Sequence, residues 1–186
     1  MEDNERTNCI PRLETLYKFS RIPLLSQPMN MRISIVGSSC VGKSSLYLRF
    51  ASQKFRDVHC ITYLATQLVN ITRVDGDVVR FEVWDNAGQP RFHNYIPHYY
   101  EMADGIIIVY DITSKKSFKF AKKLVHKVLE DTENVPVILV GNKIDLEHLR
   151  QVATEEGATL ATKYGVNFME TSAKNNNNVK KLFESI

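Results

Sequence analysis

The residues best suited to chemistry lie between Gly37 and Ser44, in the segment GSSCVGKS. This segment fits the pattern G-x-x-x-x-G-K-[ST], in which a glycine-rich loop joins a strand to a helix. An apolar strand pattern precedes it, and apolar residues at helical spacing follow it. Glycine lets the backbone approach an anion closely, and the amides at a helix amino terminus point towards that anion. The pattern therefore predicts a phosphate-binding loop.

Two side chains of this loop have specific chemical uses. Lys43 can place a positive charge between a β- and a γ-phosphate, and the Ser44 hydroxyl suits a Mg²⁺ ligand. A glycine-rich turn without a ligand is the alternative, which the consecutive strand, loop and helix patterns disfavour. The loop residues predicted to bind nucleotide are Ser39, Cys40, Val41, Gly42, Lys43, Ser44 and Ser45.

A second group of polar residues follows the apolar strand that ends at Trp84. Asp85 can hold Mg²⁺ directly or through a water molecule. Gly88 can offer its amide to a γ-phosphate, because no side chain blocks the approach. Gln89 can orient a water molecule for in-line attack, and we predict it as the catalytic residue.

Two further loops carry residues that could recognise a base. Asp145 can accept hydrogen bonds from N1 and the exocyclic amine of guanine, donors that adenine lacks at those positions. Asn142 can link the base to the phosphate loop, and the Lys143 stem can cover the base plane. The second loop, ETSAK, follows the last strand pattern, and one of its backbone amides can meet guanine O6. The residues predicted to bind there are Ser172, Ala173 and Lys174. The two loops predict a guanine nucleotide and disfavour a small-molecule phosphotransferase.

Alternating strand and helix patterns must position these loops. Strand patterns cover residues 32–36, 68–74, 78–84, 105–111, 136–141 and 166–170, and helical patterns cover residues 43–52, 91–101, 114–132, 154–164 and 179–186. The turn at Gly76 predicts a hairpin, so one of the six strands is antiparallel in a mainly parallel sheet. We expect an α/β fold with helices on both faces and ligands at the carboxyl ends of the strands.

Composition is that of a soluble globular protein. The 186 residues are 44% hydrophobic and 24% charged, with a net charge of +3, which favours neither nucleic acid nor an acidic membrane as a partner. Three widely spaced cysteines fit neither a disulfide framework nor a zinc site, and a cytoplasmic location is expected. Residues 1–30 differ in character, and either a short docking helix or a disordered leader fits them.

Across residues 31–186 the chain resembles the Ras-like small GTPases, and within them the Rab subfamily. The resemblance is carried by the phosphate loop and the segments WDNAGQ, HYY, VYDIT, GNKID and ETSAK. It implies a P-loop NTPase fold, a GTPase domain over residues 31–186 and a GDP/GTP switch with Mg²⁺. It also implies an exchange factor, an activating protein and effectors as partners, with a role in vesicle traffic and intracellular protein transport.

The resemblance also assigns residues of the first switch. A phenylalanine that packs against guanine lies twelve residues after the loop lysine in this family, where this chain has Phe55. The threonine that binds Mg²⁺ lies nineteen residues after the lysine, which is Thr62 here. Thr66 is a second candidate that would need a longer loop. The predicted metal ligands are thus Ser44, Thr62 and Asp85.

Several residues depart from the Rab pattern. Gln67 stands where an aromatic residue joins a surface cluster with Trp84, Tyr99 and Tyr100, so ordinary effectors are not expected to bind. Pro90 restricts the conformation of Gln89 and removes an amide. We expect slow GTP hydrolysis, and the alternative is a pseudo-GTPase scaffold that holds guanine nucleotide with little hydrolysis.

The cysteine positions bear on whether a lipid anchor is expected. No cysteine follows Cys60, so no lipid anchor is expected within this sequence. Peripheral attachment to endomembranes would need a further tail or a partner protein.

Overall fold

The computed structural model describes residues 28–55, 66–86, 88–89 and 94–186. Its strands are β1 (Met29–Val36), β2 (Thr66–Val74), β3 (Asp77–Asp85), β4 (Gly105–Asp111), β5 (Val137–Asn142) and β6 (Asn167–Thr171). Its α-helices are α1 (Lys43–Ser52), α2 (Ile96–Tyr100), α3 (Lys115–Asp131), α4 (Thr154–Tyr164) and α5 (Val179–Glu184), and a 3-10 helix spans Ile144–Leu149. Each predicted strand is confirmed, with ends that differ by up to three residues. The 3-10 helix was not predicted.

The strands form one sheet in the order β2-β3-β1-β4-β5-β6. β2 and β3 are antiparallel across the turn at Asp75 and Gly76, and the remaining neighbours are parallel. The predicted single antiparallel strand is therefore confirmed. Because β1, β3, β4, β5 and β6 run in one direction, the loops that follow them meet at one edge of the sheet.

Apolar side chains cover both faces of the sheet. β4 is buried along its whole length, with Ile107 and Val109 on the face that packs against α1 and α5. Ile106 and Ile108 lie on the opposite face, among residues of α2, α3 and α4. A strand buried on both faces needs a continuous apolar run, which explains the GIIIVY sequence. The prediction of helices on both faces is confirmed.

One predicted helix cap differs in the structure. Asn178 precedes α5, but its side chain makes no capping hydrogen bond. Its φ of 58° is left-handed rather than extended, and the side-chain amide donates to the Glu170 carbonyl at 2.9 Å. Asn178 therefore fastens the start of α5 to the end of β6. Within the described parts of the chain, no helix is long and apolar enough to span a membrane.

Candidate nucleotide-binding site

The phosphate loop curls around the ammonium group of Lys43. Lys43 is only 6% exposed, and its Nζ donates to the carbonyl oxygens of Gly37 at 3.1 Å and Ser38 at 2.9 Å. Burial lowers the pKa of Lys43 to about 8, and the nearby Asp85 carboxylate opposes that shift. A buried cation held by two neutral oxygens has capacity to bind an anion, because an anion would offset its desolvation.

A side chain from β5 supports the same loop. The amide of Asn142, which is 1% exposed, donates to the Val41 carbonyl at 2.8 Å. Gly42 has a φ of 98°, and a Cβ on it would lie 2.3 Å from Nδ2 of Asn142. Only glycine combines that conformation with so close a contact. The predicted link between Asn142 and the phosphate loop is present.

The segment after β3 lies directly against the phosphate loop. A Cβ on Gly88 would come within 2.5 Å of both Lys43 Nζ and the Ser38 carbonyl carbon. The half-buried Gln89 follows at the same edge of the sheet. Gly88 and Gln89 are therefore placed beside the loop that the sequence predicts to hold phosphates.

The donor chemistry near the loop suits Mg²⁺. Asp85 ends β3 and is 4% exposed, and the half-buried Ser44 lies in the first turn of α1. Carboxylate and hydroxyl oxygens are hard ligands of the kind that Mg²⁺ prefers. The third predicted ligand, Thr62, lies outside the described residues, as does Pro90.

The two predicted base-binding loops are joined by direct hydrogen bonds. Ser172 Oγ donates to Asp145 Oδ1 at 2.5 Å. Asn142 Oδ1 accepts from Thr171 Oγ1 at 3.1 Å and from the Ala173 amide at 3.4 Å. Asn142 therefore contacts both the phosphate loop and the later base loop. The Asp145 carboxylate is held in one orientation by its serine partner.

Lys143 is held by a residue for which the sequence suggested no site role. Its Nζ pairs with Asp111 Oδ2 at 2.7 Å, and its φ of 73° is left-handed. The other Asp111 oxygen accepts from the amide of Thr113 at 2.8 Å and its hydroxyl at 2.7 Å. Asp111 ends β4 and pairs in register with Asn142, the last residue of β5. Lys143 follows Asn142 directly, which brings it next to Asp111. This pairing fixes the direction of the Lys143 stem.

Arg150 connects the outer sides of the two base loops. It forms two hydrogen bonds with the Glu147 carboxylate, both at 2.7 Å, and two with Glu170, at 2.7 and 3.0 Å. These bonds raise the pKa of Arg150 and lower the pKa of Glu147. When two nitrogens of a guanidinium group bond the two oxygens of one carboxylate, the two groups are held close to one plane.

Phe55 lies near the carboxyl end of α1. It is half-buried and packs against the core cluster that contains α1 and α5. The guanidinium carbon of Arg49 lies 5.8 Å from the centre of its ring. Arg49 also reaches the loop that contains Lys174, whose carbonyl accepts a hydrogen bond at 2.7 Å. Arg49 was missed in the sequence because no local motif includes it.

Comparison with known proteins decides the family. The model of the Ras family matches residues 32–186. The chain belongs to the Ras family. Ras-related protein Rab-15 of Homo sapiens is 42% identical over 153 residues, which is 82% of this chain and 72% of that protein. Ras-related protein Rab-5A of Dictyostelium discoideum is 42% identical over 156 residues, or 83% of this chain and 78% of the relative.

A third relative extends the same resemblance. Ras-related protein Rab-21 of Homo sapiens is 39% identical over 155 residues, which is 83% of this chain and 69% of that protein. The predicted resemblance to Rab-like small GTPases is thus confirmed, and with it the P-loop GTPase fold.

In this Rab-like GTPase, Tyr100 does not lie in the surface aromatic cluster expected with Trp84 and Tyr99. Tyr100 is fully buried, and its hydroxyl donates to Asp131 Oδ2 at 2.5 Å. It therefore belongs to the core rather than to an exposed aromatic cluster. Gln67 is exposed, and its amide donates to Glu82 at 3.1 Å, so this part of the sheet surface is polar.

Proposed function

We propose that this protein is a Rab-like switch that binds GDP and GTP at the loops around Lys43, Asp145 and Ser172. The observation that carries the proposal is the position of Asn142, which bonds the phosphate loop at Val41 and the base loop at Thr171. A single side chain thereby sets the spacing between a phosphate site and a base site. Competition between GDP and ADP for the purified protein tests the proposal, and equal affinities would contradict it.

Hydrolysis proceeds in this proposal by in-line attack of water on the γ-phosphate. Gln89 orients the water, and Lys43 together with the loop amides stabilises charge on the phosphate oxygens. Ser44, Thr62 and Asp85 would hold Mg²⁺, which would supply positive charge to the phosphate oxygens. The motifs GSSCVGKS, WDNAGQ, GNKID and ETSAK contain no arginine that could act as a built-in finger, so an activating protein would supply one.

We further propose that hydrolysis is slow because Pro90 follows Gln89. Proline disfavours helical conformations of the preceding residue and lacks an amide hydrogen. Replacing Pro90 with glutamate, Pro90→Glu, is expected to raise the rate of phosphate release from GTP under multiple turnover. Equal rates for the two proteins would remove the role assigned to Pro90.

The second candidate function is a pseudo-GTPase scaffold. Pro90 and the altered residues around Thr62 favour it, whereas Gln89 and Thr62 themselves favour hydrolysis. Single-turnover hydrolysis of preloaded GTP separates the two functions. Release of phosphate that depends on Gln89 supports the switch, and stable GTP over many hours supports the scaffold.

The proposed cellular role is drawn from the similarity to the Rab proteins. We propose a role in vesicle traffic, with an exchange factor, an activating protein and effectors as partners. The sequence predicts a GTPase domain over residues 31–186 and an extension over residues 1–30, but Met29 and Asn30 already pair with β3 as part of β1, so the proposed domain starts at Met29. Removing residues 1–27 is expected to leave GDP affinity within about twofold, because every residue proposed to bind the nucleotide lies from Ser39 onward.

A further inference from the structure

We propose that Arg49 is a positioning residue that slows release of guanine nucleotide by holding the base loop at Ala173 and Lys174. This inference rests on the proposed guanine-nucleotide site. Arg49 touches neither the phosphate loop nor Asp145 in the described contacts. Its effect would pass through the backbone of the base loop.

The guanidinium group uses three nitrogen atoms on three backbone carbonyls. Nε donates to the Ala173 carbonyl at 2.8 Å, and Nη2 donates to the Lys174 carbonyl at 2.7 Å. Nη1 donates to the Gln53 carbonyl at 2.6 Å. Because the guanidinium group is planar and rigid, the three bonds fix the base loop relative to the end of α1.

The base loop is anchored from two sides. The Ala173 amide contacts Asn142 Oδ1 at 3.4 Å, while the Ala173 carbonyl contacts Arg49. The two bonds therefore restrain the two peptide groups on either side of Ala173. Asn142 also bonds the phosphate loop, whereas the hydrogen bonds of Arg49 in the described part of the chain go to the base loop and to the end of α1.

A second contact joins the same two elements. Asn176 Nδ2 donates to Gln53 Oε1 at 3.0 Å. Gln53 ends α1 in the left-handed conformation, with a φ of 57°, and its amide bonds the Arg49 carbonyl at 3.0 Å. The last turn of α1 and the base loop are therefore fastened at two places, with Arg49 as the only charged partner among the described contacts.

Arg49 also lies beside the residue predicted to cover guanine. Its guanidinium carbon is 5.8 Å from the centre of the Phe55 ring. Arg49 therefore links Phe55 and the base loop, both of which are proposed to contact the base. Loss of Arg49 would therefore loosen the base site more than the phosphate site.

The test uses the full chain and a fluorescent GDP analogue that is displaced by excess GDP. Arg49→Gln is expected to raise the dissociation rate by about 10- to 100-fold, because charge-assisted hydrogen bonds are lost. Arg49→Lys should lie between the wild type and Arg49→Gln, since an ammonium group keeps the charge without the fork. The preference for GDP over ADP should fall as the dissociation rate rises.

The matched control is Arg73→Gln. Arg73 also donates to a backbone carbonyl, that of Gly76 at 2.9 Å, but in the turn at the opposite end of the sheet. The control should release GDP at the wild-type rate. A change in Arg49→Gln of less than threefold, or an equal change in Arg73→Gln, would overturn the inference.

Two outcomes separate this inference from the proposed function. Wild-type protein that does not prefer GDP to ADP would contradict the guanine site itself. Wild-type protein that prefers GDP, with Arg49→Gln losing GDP and ADP affinity equally, would contradict only the positioning role. If Arg49→Gln does not fold, Arg49→Lys carries the test, and release at the wild-type rate overturns the inference.

Discussion

At the scale of single residues, the proposed choice of guanine over adenine depends on one carboxylate. Asp145 lies in the 3-10 helix after β5 and accepts a hydrogen bond from Ser172. A carboxylate accepts but cannot donate, so it matches the two donors on the Watson–Crick edge of guanine. The serine bond restrains the orientation of that carboxylate.

Asp145→Asn is expected to weaken GDP binding by at least about 100-fold, because an amide replaces one acceptor with a donor and removes the charge. Competition of GDP and ADP against a fluorescent nucleotide measures the effect. Glu155→Gln, at an exposed position in the first turn of α4, is the control and should bind GDP as the wild type does. Unchanged GDP preference in Asp145→Asn would disprove the base assignment.

A second prediction at this scale concerns Gly88. A Cβ there would lie 2.5 Å from the Ser38 backbone, so Gly88→Ala should push the segment of Gln89 away from the phosphate loop. We expect single-turnover GTP hydrolysis to fall at least about 10-fold, in the range seen when a positioned catalytic group is displaced. Gly76→Ala is the control for backbone strain: its φ of 97° disfavours alanine although a Cβ would meet nothing within 4 Å, and its turn lies at the opposite end of the sheet from Gln89, so hydrolysis should be unchanged. Hydrolysis at the wild-type rate in Gly88→Ala would show that the close contact is unimportant.

At the scale of elements, the site depends on two neighbouring parallel strands. Asn142 pairs in register with Thr171, so the loops after β5 and β6 start side by side. Arg150 then joins the 3-10 helix to the end of β6 through Glu147 and Glu170.

Arg150→Gln is expected to destabilise the GDP-bound protein by about 1–3 kcal/mol, because the Glu170 carboxylate would lose its charged partner. The Glu170 side chain is 16% exposed, whereas that of Glu147 is 64% exposed. Glu147→Gln should therefore cost distinctly less. Urea unfolding measures both variants, and equal losses would contradict the importance of the Glu170 pair.

At the scale of the whole molecule, the phosphate loop is coupled to the core through α1. Phe50 of α1 stacks on Phe183 of α5, with ring centres 4.1 Å apart and planes 13° apart. It also meets Phe81 of β3 edge-on, at 5.3 Å. The helix that begins at the phosphate loop is thus held against the sheet by aromatic packing.

Phe183→Ala is expected to lower the free energy of unfolding by about 3–5 kcal/mol, since it leaves a cavity beside Phe50. Met102→Ala, at a side chain that is 72% exposed, should change stability by less than about 0.5 kcal/mol. Urea denaturation with GDP and Mg²⁺ present compares the two. Similar losses would mean that the aromatic stack is not central to stability.

Ligand removal gives a further prediction for the whole molecule. A ligand that binds only the folded state at 100 times its Kd adds about 2.7 kcal/mol to stability. Chelation of Mg²⁺ with EDTA should therefore lower the melting temperature of the GDP-loaded protein and speed release of GDP. A melting temperature unaffected by EDTA would contradict the Mg²⁺ site at Ser44 and Asp85.

The sequence by itself determined the types of the elements and the chemistry at their ends. The apolar run of β4 and the spacing of Lys43 and Ser44 after Gly37 depend on residues close together in the chain, so local patterns report them. The bounds of α1 and α4 were predicted to the residue. The prediction that Asn178 caps α5 was wrong, because the sequence does not distinguish a capping side chain from one that donates to the carbonyl of another element.

Only the tertiary structure decided which residues support those that were predicted. Arg49 bonds Ala173 across 124 residues of sequence, and Asn142 bonds Val41 across 101. Asp111 meets Lys143 because β4 and β5 are neighbours in the sheet. Contacts at such separations depend on strand order and register, which the packing of the whole sheet sets and no local pattern encodes.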